Sequence, residues 1–142
     1  MSLADELYGN PNAEAWNQSE QEGLVLAEVT DLKDPDKLGR IKCRILTDEK
    51  ANELDWCYVM MPLAGKQHGI QFMPDVGDLV VLGFIGGDRQ RPLVLGCLWN
   101  KKIPMPYPLK DGKNFSFSIK TPGGSELLFS GEKGKEKITI QT

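Results

Sequence analysis

The chain has 142 residues, of which 40% are hydrophobic and 26% are charged, and its formal net charge is −3. This balance is typical of a folded domain with its own core, and no apolar run approaches the roughly 20 residues of a membrane-spanning helix. Acids and bases balance across residues 23–109, so no strongly basic footprint is present and no nucleic-acid partner is expected.

Residues 1–22 predict an N-terminal arm. They carry five acids and no Lys or Arg, and their larger apolar residues are isolated: Leu3, Leu7, Tyr8 and Trp16. Two interpretations stay open, an arm that docks on a partner and a loosely ordered terminus. The stretch Met1–Asn10 lacks the basic and then apolar layout of a signal peptide, so we expect synthesis in a cytoplasm without one.

Short β-strands separated by turns are predicted across residues 23–100. In chain order they are Gly23–Thr30, Gly39–Ile45, Trp56–Met61, Asp78–Phe84 and Leu93–Leu98, with a short strand or bridge at Ile70–Met73. Alternation is strict in the second strand, where Ile41, Cys43 and Ile45 face one way. Asp78–Phe84 is almost continuously apolar, as expected where both faces are covered. Five or so short strands without helical periodicity indicate a small closed barrel.

The segments between these strands predict loops and irregularities. Leu46–Asp55 is polar and could hold a helical turn, and Pro62–Gly69 is expected to be a loop. Gly83 and Gly96 lie inside predicted strands, where glycine often marks a bulge or a sharp bend.

Residues 101–114 predict a proline-rich linker, because Pro104, Pro106 and Pro108 cannot donate ladder hydrogen bonds and favour an extended strap. Residues 115–142 then predict three further strands: Phe115–Lys120, Glu126–Phe129 and Lys137–Gln141. Three strands of about 5 residues do not supply a core of their own. This segment is therefore expected to need a barrel to lean on or copies of itself from other chains.

The cysteines and the histidine give little support for a catalytic site, a metal site or a disulfide. Cys43, Cys57 and Cys97 are widely spaced within β-like runs, which favours small buried hydrophobic residues over a metal site, a disulfide or a nucleophile. His68 is the only histidine, so we favour an exposed loop residue over a catalytic base. A three-fold metal site with one histidine per subunit is formally possible but has no support.

The carboxylates and glycines predict surface loops and turns. Two acidic clusters are interleaved with lysines: Asp31, Asp34 and Asp36, and then Asp48, Glu49, Glu53 and Asp55. A calcium loop beginning at Asp34 would end at Ile45, where a bidentate Glu is needed. Gly86-Gly87 and Gly123-Gly124 lack the Lys-Ser/Thr ending of a phosphate-binding loop. No catalytic, cofactor or metal site is assigned, and the chain is not expected to be an enzyme.

Aromatic residues lie throughout the predicted barrel, and they could form a base-stacking platform: Trp56, Tyr58, Phe72, Phe84 and Trp99. Because no basic groove accompanies them, core packing and subunit contacts are favoured.

Three stretches have a specific order. The first includes Asp34-Pro35 and Gly39-Arg40-Ile41-Lys42, the second runs from Trp56 through Met61-Pro62-Leu63-Ala64-Gly65 to Phe72, and the third runs from Met73-Pro74-Asp75-Val76-Gly77-Asp78 to Trp99-Asn100. Together they resemble the OB-fold domain of phage baseplate assembly protein V and of the VgrG-type spike proteins of type VI secretion. The tail, from Lys120-Thr121-Pro122-Gly123-Gly124 to Ile140, resembles the start of that family's β-helical needle.

The resemblance implies an OB-type Greek-key β-barrel at residues 23–100, followed at 115–142 by the start of a trimeric intertwined β-helix. It also implies a homotrimer in a virion baseplate or phage-tail-like particle, with a hub protein and tail tube above it and a possible tip protein below. Its role would be mechanical, because a contracting sheath drives the spike through a target envelope. The alternative is an OB-fold binding module for single-stranded nucleic acid or a glycan.

Overall fold

The computed structural model describes residues 23–46 and 53–142. These residues form ten β-strands and one short 3-10 helix, Ile85–Gly87, which confirms the predicted all-β class. Within the described ranges, no helix is long and apolar enough to cross a membrane. The chain divides into two compact units, with the boundary between Ile103 and Pro104. The arm predicted for residues 1–22 lies outside the described residues.

The described residues of the first unit contain seven strands. They are β1 (Val25–Asp31), β2 (Arg40–Ile45), β3 (Cys57–Val59), β4 (Ala64–Gly65), β5 (His68–Gly69), β6 (Leu79–Phe84) and β7 (Pro92–Leu98). Five of them close into a barrel in the order β1-β2-β3-β7-β6, with β6 pairing back onto β1. The β3–β7 pair is parallel and the other barrel pairs are antiparallel. This topology confirms the expected OB-type barrel.

The side chains that point into the barrel form one apolar core. Strand alternation places them there, because every second residue of a strand faces the same side of a sheet. The inward positions predicted for Ile41, Cys43 and Ile45 are confirmed. Among the residues that the structure describes, the buried cluster is Ala27, Val29, Ile41, Cys43, Ile45, Cys57, Val80, Leu82 and Val94.

The predicted loop Pro62–Gly69 contains a hairpin instead, in which β4 pairs with β5. Ile70–Met73, predicted as a short strand or bridge, forms neither. Glycine allows the two segments of the hairpin to lie close together. A Cβ atom on Gly65 would lie 2.2 Å from the His68 ring, and one on Gly69 would lie 2.3 Å from the Leu63 carbonyl oxygen. The His68 ring is a side chain that can move, whereas the Leu63 oxygen belongs to the backbone, so the close approach of the two segments depends on Gly69 lacking a side chain.

The predicted irregularities near Gly83 and Gly96 have structural counterparts. Gly96 pairs with Val81, whereas the next pair joins Leu82 to Val94, so Leu95 is left without a partner in a β-bulge. Gly83 leaves room for the Leu95 side chain, whose Cδ1 atom would lie 3.3 Å from an added Cβ. The helical turn considered for Leu46–Asp55 falls mainly on residues 47–52, outside the described residues.

The second unit is a three-stranded antiparallel sheet. Its strands are β8 (Ser116–Lys120), β9 (Glu126–Ser130) and β10 (Lys137–Gln141), in the order β10-β9-β8. These are the three strands predicted from the sequence, to within one residue at each end. The only buried residue between Pro104 and Thr142 is Glu126, which is charged. This unit therefore has no apolar core of its own, as the sequence led us to expect.

Candidate functional site: the apolar face of the C-terminal sheet

The C-terminal sheet has one apolar face and one polar face. Its register places Phe117 opposite Phe129, and Phe129 opposite Ile138. Two residues further along, Leu127 is paired with both Ile119 and Ile140. Because paired residues point to the same side of a sheet, these side chains form a continuous surface. We call this surface the apolar face; it consists of Phe117, Ile119, Leu127, Phe129, Ile138 and Ile140.

The apolar face is largely open to solvent. Ile140 is 81% exposed, Ile138 is 67% exposed and Phe117 is 64% exposed. Fully burying one side chain of this kind contributes about 1.5–3 kcal/mol, so leaving several exposed and adjacent forgoes a large stabilisation. A contiguous exposed apolar patch of this kind marks an interaction site. The arrangement of the face therefore suits association with another apolar surface.

The polar face contacts the proline-rich segment that precedes the sheet, residues 104–114, which we call the strap. The Tyr107 hydroxyl donates a hydrogen bond to Glu126 Oε1, and Gln141 Nε2 donates to Glu126 Oε2 at 3.0 Å. The Tyr107 hydrogen bond lowers the pKa of the Glu126 carboxyl from its ordinary value, with smaller contributions from Gln141 and Lys120. The same bond raises the pKa of Tyr107. The polar face is thus covered in part by its own unit, whereas the apolar face is not.

The outer surface of β2 and β3 carries cations over aromatic rings. The Arg40 guanidinium lies 5.9 Å from the centroid of the Tyr58 ring, and Lys42 Nζ lies 5.1 Å from that of Trp56. Both cations also have a carboxylate partner. That of Arg40 is Asp34, and Lys42 Nζ lies 3.4 Å from Glu53 Oε1. Arg44 Nη2 lies 3.0 Å from Glu28 Oε2 on the neighbouring strand. These ion pairs neutralise the surface that an OB barrel would use to grip nucleic acid.

The other three aromatic residues of this set, Phe72, Phe84 and Trp99, differ in burial. Phe84 packs against the barrel core, as favoured from the sequence. Phe72 and Trp99 are exposed, at 55% and 63%. The subunit contacts considered for these exposed rings remain a prediction.

Two of the three cysteines are buried, as predicted. Cys43 and Cys57 lie in the barrel core. The Cys57 thiol donates a hydrogen bond to the Asp55 carbonyl oxygen at 3.2 Å. Contact with Cys43, together with burial, raises the pKa of the Cys57 thiol far above its usual range. The prediction was wrong for Cys97, which is exposed although it is paired with the core residue Val80.

His68 lies in β5 rather than in a loop, and it is exposed as predicted. Its Nδ1 atom lies 3.0 Å from the Lys66 carbonyl oxygen. Among the described residues, no group of His, Cys, Asp and Glu side chains is placed to hold a metal ion.

The first acidic cluster is not simply a charged surface loop. The Asp34 side chain is only 5% exposed, and its Oδ1 atom lies 2.8 Å from Arg40 Nη2. Its carboxylate also accepts backbone hydrogen bonds from Asp36, Leu38 and Arg40. The sequence predicts a charged loop here, and in the structure the Asp34 carboxylate organises that loop between β1 and β2. In the second cluster, Glu53 accepts a hydrogen bond from Thr30 Oγ1, while Asp48 and Glu49 lie outside the described residues.

Sequence reasoning missed a buried ion pair in the β6–β7 turn. Asp88 and Arg91 are each 2% exposed, and Arg91 Nε lies 3.4 Å from Asp88 Oδ2. Asp88 Oδ1 also accepts a hydrogen bond from the Gln90 amide at 2.9 Å. One sequence signal could have indicated this pair. It is the presence of two residues of opposite charge, three positions apart, between apolar strands. The pair lies in the turn that joins the two strands.

Comparison with known proteins agrees with this architecture. A family model described as the type VI secretion system/phage-baseplate injector OB domain matches residues 25–99. The type VI secretion system spike proteins VgrG5 and VgrG4b of Pseudomonas aeruginosa are 36% and 32% identical to the chain over 115 and 114 residues. VgrG3 of Vibrio cholerae is 30% identical over 113 residues.

Each of these matches covers 74% of this chain but only 11–14% of the relative. The chain therefore corresponds to a small part of the length of these spike proteins. The matched family residues include all five strands of the barrel. The chain belongs to the family of type VI secretion system and phage-baseplate injector OB domains.

Proposed function

We propose that this chain is a structural part of the central spike or baseplate hub of a contractile injection machine, and that it works as a homotrimer. Such machines include phage tails, tailocins, type VI-like systems and extracellular injection systems. The observation that carries this proposal is the exposed apolar face on a sheet that has no apolar core. The family membership of the barrel supports the same role.

Three copies of the sheet would bury their apolar faces against one another around a common axis. This arrangement gives the six side chains the apolar environment that one chain does not provide. The polar faces would then point outward, and each would keep its strap and its Tyr107–Glu126 hydrogen bond. A stiff trimeric sheet of this kind suits a part that transmits force along its axis.

The proposed role is mechanical and not catalytic. A hub protein and tail tube would lie above the trimer, and a possible tip protein would lie below it. Sheath contraction would push the assembly through the target envelope, to which it binds only transiently. The barrel supports this role through packed strands, the buried Asp88–Arg91 ion pair and a turn held by the Asp34 carboxylate.

Substitutions on opposite sides of β10 test the proposal. Ile140→Glu places a charge on the apolar face, whereas the matched control Thr139→Glu places one on the polar face of the same strand. A charge buried between apolar side chains is costly, so we expect Ile140→Glu to weaken trimer formation by more than about tenfold. Thr139→Glu should assemble like the wild type. The measurement is sedimentation velocity over a range of protein concentrations.

Ile140 is so exposed in a single chain that its replacement should not unfold a protomer. Circular dichroism of both variants checks this point. If Ile140→Glu assembles as tightly as Thr139→Glu, the apolar face is not the contact between copies and the proposal fails.

A further inference from the structure

The C-terminal unit contains a groove on the side of the sheet that bears the strap. The groove has a volume of about 760 Å³. It lies between the strap and the end of the sheet that contains the start of β8 and the turn before β10. Four lysines line it: Lys110, Lys113, Lys135 and Lys137. Only two carboxylates do so, Asp111 and Glu132. The groove therefore has an excess of positive charge in a chain whose net charge is negative.

A tight turn holds two of these lysines together. Lys110 and Lys113 form a β-bridge, and the Lys113 amide donates to the Lys110 carbonyl oxygen at 2.9 Å. The residues between them, Asp111 and Gly112, have φ values of 52° and 70°, as in a two-residue hairpin turn. Like charges directly opposite each other destabilise such a pair. A local arrangement that costs stability is a common mark of a binding site.

The third lysine reaches the groove from the sheet. Lys137 is paired with Ser130, which is paired in turn with Ser116, so these residues share the polar face. Lys135 has a carboxylate partner, since its Nζ atom lies 3.7 Å from Glu132 Oε1. Among the described residues, no comparable ion pair involves Lys110, Lys113 or Lys137. Three ammonium groups and two hydroxyls are thus available to an anionic ligand.

The remaining wall of the groove is apolar. It includes Tyr107, Leu109 and Phe115, together with two prolines of the strap. A small inorganic anion would satisfy the lysines but leave these side chains uncovered. An acidic peptide that also carries apolar side chains would satisfy both kinds of surface. We propose that the groove binds such a segment of a partner protein.

This inference goes beyond the spike role and does not depend on it. The groove lies on the polar face, so it stays accessible if the apolar face is buried between copies. The partner is defined here by its chemistry: carboxylates for the lysines, and aliphatic or aromatic side chains for the strap.

A fluorescence-anisotropy titration of the full chain tests the proposal. The probe is a short fluorescein-labelled peptide in which Glu alternates with Leu and Tyr. The triple variant Lys110→Ser, Lys113→Ser, Lys137→Ser should raise Kd by about tenfold, because it removes three modest charge contacts. The control triple variant Lys66→Ser, Lys101→Ser, Lys133→Ser changes the net charge equally outside the groove. It should change Kd by less than about twofold.

Two further peptides separate the proposal from simple charge attraction. Replacing each Glu by Gln should raise Kd by at least about tenfold, and replacing each Leu and Tyr by Ser should also raise it. The proposal is overturned if the wild type does not bind the probe, or if both triple variants lose affinity equally. It is also overturned if the Glu and Ser peptide binds as tightly as the probe, since the apolar wall would then play no part.

Discussion

At the scale of single residues, Asp34 shows how one carboxylate can organise a turn. It accepts three hydrogen bonds from backbone amides and two from the Arg40 side chain. The Arg40 guanidinium, aided by those amides, holds the pKa of the Asp34 carboxyl well below its usual range. The ionised form is therefore the one that the folded state prefers. Asp88 and Arg91 give the β6–β7 turn a comparable buried ion pair.

The pH dependence of stability should reveal the Asp34 interaction. A carboxyl whose pKa is lowered by folding stabilises the native state above its unfolded pKa, about 3.9, and loses that contribution as the pH falls through the folded pKa. Asp34→Asn should therefore lower the free energy of unfolding at pH 7. The difference from the wild type should shrink as the pH falls below about 4.

Urea unfolding of both proteins between neutral and acidic pH measures this difference. Asp36→Asn is the matched control, because Asp36 shares Arg40 but its side chain is 68% exposed. The control should have a smaller effect at neutral pH. A difference between wild type and Asp34→Asn that stays constant down to pH about 2 would contradict this account.

At the scale of elements, the β4–β5 hairpin depends on close backbone approach more than on side-chain propensity. The Ile70 amide donates to the Leu63 carbonyl oxygen at 2.9 Å and closes the hairpin. Gly69 has a φ of 149° and no space for a Cβ atom beside Leu63. The hairpin therefore depends on glycine at this position.

Gly69→Ala should open this hairpin locally. The added methyl group would meet a backbone oxygen that has little freedom to move, so we expect the Ile70 amide to exchange with solvent at least about tenfold faster. Gly131→Ala is the control, because its Cβ would lie at an ordinary 3.6 Å from the Phe115 carbonyl oxygen. Hydrogen exchange followed by NMR measures both variants. Unchanged protection of Ile70 in Gly69→Ala would refute the steric argument.

Strands with a strong hydrophobic pattern could be predicted from the sequence, and those fixed by backbone geometry could not. Alternation in β2 and β10 and the apolar run of β6 located those strands within a residue or two. The β4–β5 hairpin has no such pattern, because it depends on the close backbone approach at Gly69 and on a backbone hydrogen bond. The burial of Asp34 and of Asp88 with Arg91 was also missed, since charged residues in turns normally face solvent.

The candidate site was predictable only in part. Alternation in Phe115–Lys120 and Lys137–Gln141 showed that each strand has an apolar side. It did not show that those sides meet on one face, because that depends on the register of three strands. The lysine groove depends on a turn and on the same register, so spacing along the sequence gave no sign of it.

At the scale of the whole molecule, the two units differ in how they are stabilised. In the described part of the chain, the barrel encloses nine buried apolar side chains, whereas the C-terminal sheet exposes its apolar residues. A barrel with its own core can fold as a protomer, and a sheet without one gains stability by association. The family of the barrel and the exposed face of the sheet lead to the same proposal, a trimeric spike component.

The mass of the chain in solution tests this claim most directly. Size-exclusion chromatography with multi-angle light scattering, run over a series of protein concentrations, measures it without a shape assumption. The account predicts a species of three times the 15.8 kDa chain mass. A mass of 15.8 kDa at every concentration would contradict it.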